Sequence, residues 1–356
     1  MRRAALGLAL LALAAAAGPA GAATRASVSE GRLVVVSDRA GDRIEVAFAG
    51  GAFTVDVGGR LALGGGCDRL AANRARCASS AAALSVELRA GNDVLVMSGS
   101  GVVRAAVAGG EGSDDVTVVG QSTSVDGGDG DDRLRGGPGA DLLEGGPGRD
   151  DLAGAAGDDT LDGGSGGGVL AGDAGADRLQ GGDGIDRLNG GPGDDLLRGA
   201  GGDDTLDGAE GRDTLDAGDG ADRILSADDA PIEAGAGNDR IGASGVTVVV
   251  RAGPGDDQVS VSGDQTTVEG GDGADRIAGA GGSDTLLGGP GDDNLFGALG
   301  DDVLDDGPGA GRVSGGPGND RVTGGPGRDR VEGGFGNDVL GGGADADELL
   351  GGPGRR

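Results

Sequence analysis

Between Gly127 and Leu225 the chain places one aliphatic side chain at every ninth position, beginning with Leu134, Leu143 and Leu152 and ending with Ile224. A polar frame repeats around each with the same period. It reads Gly-Gly-x-Gly-x-Asp-x-aliphatic-x, as in Gly127 to Arg135, Gly136 to Glu144 and Gly145 to Ala153. A segment such as Arg133-Leu134-Arg135 predicts a short strand with one side chain inward. The glycines before it predict a turn, because glycine reaches positive φ at little steric cost. Proline at the third position (Pro138, Pro147, Pro192, Pro290, Pro317, Pro326) stiffens that turn. A unit this short is one rung of a solenoid and gains stability only by stacking. Two phrases make one coil, so every second turn lies on the same edge, about 4.8 Å from the next.

The degenerate phrases separate two roles. Gly168 replaces the acid in Gly163 to Ala171, Thr266 in Val261 to Glu269, and Gly311 in Asp306 to Ser314, yet Leu170, Val268 and Val313 keep the aliphatic. Val250 likewise persists where Ala243 to Arg251 has lost its turn. The eighth residue therefore builds a core and the sixth does something else. Gly168 and Gly311 should each leave one vacancy in an otherwise filled row of acids. Around residues 234–278 the acids Asp239, Asp257 and Asp275 fall on one edge only. The other edge there rests on Val250 and Val268, which makes this the expected weak part of the coil.

Upstream, Thr24 to Leu88 carries short apolar or alternating runs, among them Leu33 to Val36, Phe53 to Val57 and Leu84 to Leu88. Gly, Asp and Asn punctuate them, which predicts an N-terminal β cap hiding the first unpaired strand of the solenoid. A small separate binding domain is the other reading of this segment. Residues 89–126 hold degenerate repeats, with Asp93 and Asp114 at the acid position. Residues 127–225 form one repeat block and 234–356 a second. Between them, 226–233 is one residue short, and Asp228, Asp229 and Pro231 suggest a bulged turn.

Composition excludes an ordinary globular core. Glycine fills 86 of 356 positions, Trp, Tyr and His are absent, and the formal charge is −31. Without its repeats such a chain would be disordered. The charge argues against nucleic acid and anionic membranes and in favour of cations. Cys67 and Cys77 fit one short disulfide loop, worth about 3 kcal/mol if unstrained. The rival zinc pair lacks histidine, and two ligands do not close a tetrahedral site. Met1 to Ala22 reads as a secretory leader: Arg2-Arg3, an apolar run from Ala4 to Ala17, then Ala20-Gly21-Ala22 for cleavage. Its apolar run is short for a membrane span. The mature chain is expected outside the cell, where a disulfide persists.

One buried aliphatic per nine residues, many of them glycine, cannot by itself offset the cost of ordering the backbone. Stacked aspartates add repulsion. A row of carboxylates beside main-chain carbonyls suits a hard divalent cation with oxygen ligands, calcium better than magnesium.

In its motif and its phase the chain resembles the RTX, or hemolysin-type, calcium-binding repeat proteins. The resemblance implies an all-β, right-handed parallel β-roll whose turns hold multiple Ca2+ between motif aspartates and carbonyl oxygens. The implied ligands in the first block are Asp132, Asp141, Asp150, Asp159, Asp177, Asp186, Asp195, Asp204, Asp213 and Asp222, preceded by Asp93 and Asp114. In the second block they are Asp239, Asp257, Asp275, Asp284, Asp293, Asp302, Asp320, Asp329, Asp338 and Asp347. The chain has neither the apolar pore-forming region nor the acylated lysines of RTX cytolysins.

Catalytic chemistry is not evident. Without His there is no zinc-protease motif and no Ser-His-Asp triad. Gly163-Gly164-Ser165-Gly166-Gly167 matches a nucleophile elbow, but inside a degenerate repeat of a glycine-rich chain. The expected activity is non-enzymatic: a structural or adhesive surface or matrix component, with a calcium-buffering or sequestering protein, or an accessory module of a calcium-dependent hydrolase, as the alternatives. Partners are calcium and, for an adhesin, cell-surface or extracellular glycans or proteins; membrane insertion is not expected.

Overall fold

The computed structural model describes residues 24–354 except 30–31, 38–40, 50–51, 59–60, 64, 66, 79–82, 100–103 and 228–230. The leader read over Met1 to Ala22 and the bulge at Asp228 and Asp229 lie outside the described residues.

Short strands follow one another along the described residues, and no helix occurs among them. Each repeat strand pairs in parallel with the second strand after it. Leu134 lies beside Leu152, and Leu143 beside Leu161, 18 residues on. Two phrases therefore form one coil, and the coils stack as a parallel β-solenoid with two ladders. The reason is the period: one aliphatic side chain in nine points inward, so two aliphatic columns face each other across a thin core. Leu134, Leu152, Leu170, Leu188 and Leu206 in one column are fully buried. Leu143, Leu161, Leu179, Leu197 and Leu215 in the other are at most 2% exposed.

The short phrase is absorbed without loss of register. Strand Pro231–Ala236 pairs with Thr214–Asp219 so that Ile232 sits beside Leu215, 17 residues away. The next two coils then change character. Arg240–Arg251 and Gln258–Glu269 are continuous twelve-residue strands paired from Arg240↔Gln258 to Arg251↔Glu269. Their pairing continues round the edge where it is interrupted in other coils, from the ladder of Arg223–Ser226 to that of Pro231–Ala236. Val248 and Thr266, 1% and 2% exposed, occupy the acid positions there.

Both ladders begin inside the N-terminal segment. Arg32–Val36 pairs in parallel with Ala83–Ala90, and Arg43–Ala49 with Val94–Ser98. Each of these first strands has an antiparallel partner on its outer side, Thr24–Ser29 and Ala52–Val57 respectively. The cap thus covers the open hydrogen-bonding edge of both ladders. Arg74–Ala78 extends it beyond Ala52–Val57, and Cys67–Arg69 extends it again. Cys67 and Cys77 stand directly opposite and form a disulfide, S–S 2.11 Å. Phe48 and Phe53 pack with ring centroids 4.7 Å apart.

Candidate metal centre

Each motif aspartate ends a turn just before its strand begins, and its side chain faces into the coil. Asp159 is fully buried, and Asp132, Asp150 and Asp186 are each 2% exposed. Burial here is paired with one specific bond. Oδ1 of each acid accepts the main-chain N–H of the sixth residue one coil earlier. Asp132 N–H donates to Asp150 Oδ1 at 2.8 Å, Asp159 N–H to Asp177 Oδ1 at 2.7 Å, and Asp284 N–H to Asp302 Oδ1 at 2.9 Å.

These bonds sort the sequence-derived acids into two rows. One contains Asp93, Asp114, Asp132 and Asp150, then Asp186, Asp204, Asp222, Asp239, Asp257, Asp275 and Asp293, and finally Asp329 and Asp347. The other contains Asp141, Asp159, Asp177, Asp195 and Asp213, and resumes with Asp284, Asp302, Asp320 and Asp338. Asp338 and Asp347, near the C-terminal end, are only half-buried.

The second oxygen is the informative one. Oδ2 of Asp132, Asp150, Asp159, Asp177 and Asp204 is buried and has no hydrogen-bond partner in the protein. It hangs over the first glycine of its own phrase. At Gly127 a Cβ would lie 2.4 Å from Asp132 Oδ2 and 2.8 Å from the carbonyl oxygen of Gly145. At Gly145 the corresponding distances to Asp150 Oδ2 and the Gly163 carbonyl are 2.5 and 2.7 Å. Glycine thus leaves a cradle into which a carboxylate oxygen and a carbonyl oxygen from the next coil converge. Among the described residues no three Asp, Glu, Cys or His side chains cluster. A cation held here would share carboxylates with main-chain carbonyls, a hard oxygen donor set.

The electrostatics agree. Burial pushes Asp114, Asp204 and Asp257 up to about 7, with neighbouring carboxylates of the same row adding to the rise. Asp150, Asp159, Asp195 and Asp302 are raised to about 6 for the same reasons. The backbone N–H at Oδ1 opposes the rise in each case but does not cancel it. An ionised, half-satisfied carboxylate in the interior is costly, and a bound cation removes that cost.

Matches to the RTX calcium-binding nonapeptide repeat fall on residues 126–161, 162–197, 171–206, 198–230, 269–304, 305–340, 314–349 and 331–355, together more than half of the chain. The chain belongs to the RTX calcium-binding repeat family. A search of curated proteins finds no similar sequence. RTX nonapeptide repeats bind calcium, so the cofactor is Ca2+ at multiple sites. The converging, unpartnered oxygens of the cradles fit that ion.

Several positions in this RTX chain depart from the motif. Asp141 has both oxygens engaged, by the N–H groups of Thr123 (2.6 Å) and Gly137 (2.7 Å). Asp42, absent from the sequence-derived set, heads the other row: its N–H donates to Asp93 Oδ1, while its Oδ2 accepts the hydroxyls of Thr24 and Ser37 at 2.7 and 2.6 Å. Protein donors thus close the N-terminal end of each row. Hydroxyls replacing a cation at Asp42 leave no sequence signal, since Thr24 and Ser37 lie outside any repeat. Thr266 keeps its place in the second row by donating its hydroxyl to Asp284 Oδ1 at 2.6 Å.

The two expected vacancies differ. At Gly168 no carboxylate enters the gap. A Cβ at Gly163, the first residue of that phrase, would meet the Gly181 carbonyl and Leu170. At Gly311 the expectation fails, because Asp306 fills the space. Asp306 is fully buried and is raised to about 8 by burial, then by Asp293 and Asp329, its neighbours along the row. Exposed acids on both edges also went unread in the sequence, Asp131 and Asp203 on one and Asp158 and Asp194 on the other. Fifth-position Asp131, Asp158, Asp194 and Asp203 accept N–H groups one coil later, for example Arg149 N–H at 2.9 Å.

A surface hollow of about 530 Å3 is lined by Asp216, Glu233, Arg251 and Glu269. Arg251 there pairs with Glu233 and Glu269, so its charge is already met.

Proposed function

We propose that this chain is a secreted, non-catalytic calcium-binding coil that folds when it meets extracellular calcium and serves as a structural or adhesive component of a surface or matrix. The ligands are the sixth-position aspartates of the two rows together with first-position carbonyls of the following coil. One observation carries the reading: rows of buried carboxylates, Asp132, Asp150 and Asp159 among them, with one oxygen satisfied by the backbone and one left for a partner the protein does not supply. Calcium turns the repulsion along each row into cross-links between coils. The absence of histidine from the sequence and the repetition of the acids support a structural role over acid–base catalysis. The thin aliphatic core makes folding depend on the ion, which suits export of an unfolded chain from a low-calcium interior.

The test has two arms. Circular dichroism in chelator and in millimolar calcium should show β structure only in calcium; identical spectra would end the reading. Pull-down of the calcium-loaded chain against cell-wall and extracellular material, with a chelated control, then separates roles. Calcium-dependent capture supports adhesion, whereas binding of ions alone makes the chain a buffer.

A further inference from the structure

Eighteen of the acids in the two rows sit over a glycine that opens their own phrase, but Asp306 to Ser314 inverts this arrangement. Its first residue is Asp306 and its sixth is Gly311. A Cβ at Gly311 would lie 2.0 and 2.1 Å from the two carboxylate oxygens of Asp306. In the ordinary phrase the sixth side chain reaches over the bare first residue. Here the first side chain reaches over the bare sixth.

The main chain has not moved to allow this. Gly311 N–H donates to Asp329 Oδ1 at 3.0 Å, and Arg330 N–H to the Gly311 carbonyl at 3.0 Å, as at intact rungs. The Asp306 carbonyl also holds the usual first-position place. A Cβ at Gly288 would meet Asp293 Oδ2 at 2.3 Å and Asp306 O at 2.5 Å, as Gly127 meets Asp132 and Gly145. Only the side chain has changed position. Both oxygens of Asp306 are buried without a hydrogen-bond partner, whereas the motif acids have one oxygen satisfied. A fully buried carboxylate with no donor requires a cation or a proton.

We propose that Asp306 is a calcium ligand that replaces the missing acid of Gly311, bridging the sites of Asp293 and Asp329 from the opposite end of the phrase. This rests on the calcium-row reading above. It follows that the first row is continuous from Asp186 to Asp347 and broken only at Gly168. With both oxygens unused, Asp306 offers one to each flanking site, a capacity the backbone-bonded motif acids lack.

The test uses the full chain, with folding followed by circular dichroism during calcium titration and bound calcium counted by equilibrium dialysis. Asp306→Asn removes the charge at nearly constant shape. It should raise the calcium midpoint as much as Asp329→Asn does and lower the number of ions bound. The double substitution Asp306→Gly with Gly311→Asp restores the motif and should return both readouts to wild type. If Asp306→Asn does not fold at any calcium concentration, the double variant decides: recovery supports the proposal and failure overturns it. Gly168→Asp should lower the midpoint by filling an empty gap, while Gly311→Asp alone should raise it by crowding a filled one. An unchanged or lowered midpoint in Asp306→Asn overturns the assignment. A wild-type chain indifferent to calcium would instead overturn the underlying reading, and that outcome is visible before any variant is made.

Discussion

The main-chain N–H of Asp132 donates to Oδ1 of Asp150 at 2.8 Å, across 18 residues of sequence. That bond fixes the orientation of the carboxylate and aims its other oxygen at the cradle over Gly145. Repeated along both rows, it orients each carboxylate of the folded coil in the same way, and without a partner for the second oxygen that arrangement is unfavourable.

Protons should compete with calcium for these carboxylates. Burial, with like charge along the row added, pushes Asp114, Asp204 and Asp257 up to about 7 and Asp150 and Asp159 up to about 6 in the metal-free coil, from an ordinary carboxylate value of about 4. Because the folded values are raised, the metal-free coil binds more protons than the unfolded chain throughout that window. Its stability therefore rises as pH falls from about 7 towards about 4, and is lowest above the folded values. In chelator, β structure should increase on acidification from about pH 7, while the number of calcium ions bound at a fixed subsaturating concentration falls, because each ion must displace protons from the folded coil. Circular dichroism follows the first and equilibrium dialysis the second, and opposite slopes are required.

Core and ligand should separate by substitution. Leu188 is fully buried, stacked between Leu170 and Leu206. Leu188→Ala should cost about 2–5 kcal/mol even at saturating calcium. Asp186→Asn should instead raise the calcium requirement and leave the saturated fold nearly intact. Denaturant melts in saturating calcium, compared with calcium titrations, distinguish them; equal effects on the midpoint would refute the division of labour.

Two glycines of one phrase should fail differently. Gly148 has φ +141°, and a Cβ there would lie 1.9 Å from the Gly130 carbonyl oxygen. Gly148→Ala should prevent stacking at every calcium concentration, since left-handed backbone and contact with a neighbouring backbone both oppose it. Gly145→Ala places its methyl 2.5 Å from Asp150 Oδ2, a side-chain oxygen that can yield, and 2.7 Å from the Gly163 carbonyl, a milder approach than the 1.9 Å at Gly148. Alanine already stands at that position as Ala217, Ala234 and Ala252, all fully buried. Gly145→Ala should fold in saturating calcium with a higher midpoint. Calcium titrations in which both variants behave alike would contradict the cradle.

Hydrogen exchange should find an unusual segment between Arg240 and Glu269. The acid-free edge suggests weakness, but the structure supplies continuous strand pairing where other coils turn beside a buried aspartate. Amides of Thr247 to Arg251 and Gln265 to Glu269 should show the smallest dependence of protection on calcium. If their protection rises with calcium as steeply as that around Asp151, strand pairing there is not independent of the ion.

The sequence by itself determined the coil. Its nine-residue period set which residue points inward, where the chain turns, and that acids share one phase, because these depend on local dihedrals and on side-chain direction within one phrase. The solenoid and its aliphatic columns through Val116 and Val125 were legible on that basis, and the Cys67–Cys77 bridge was legible from two cysteines ten residues apart. Only the tertiary structure decided how each carboxylate is satisfied. Asp42 is closed by Thr24 and Ser37, Asp141 by Gly137, and the gap at Gly311 by Asp306. Those outcomes depend on atoms brought together through space, across a turn or from the cap. A motif records which residue occupies a position, and the space at that position can be filled from elsewhere. Asp306 illustrates the difference: its place in the phrase marks it as an error, and its place in the coil puts a carboxylate back in the row.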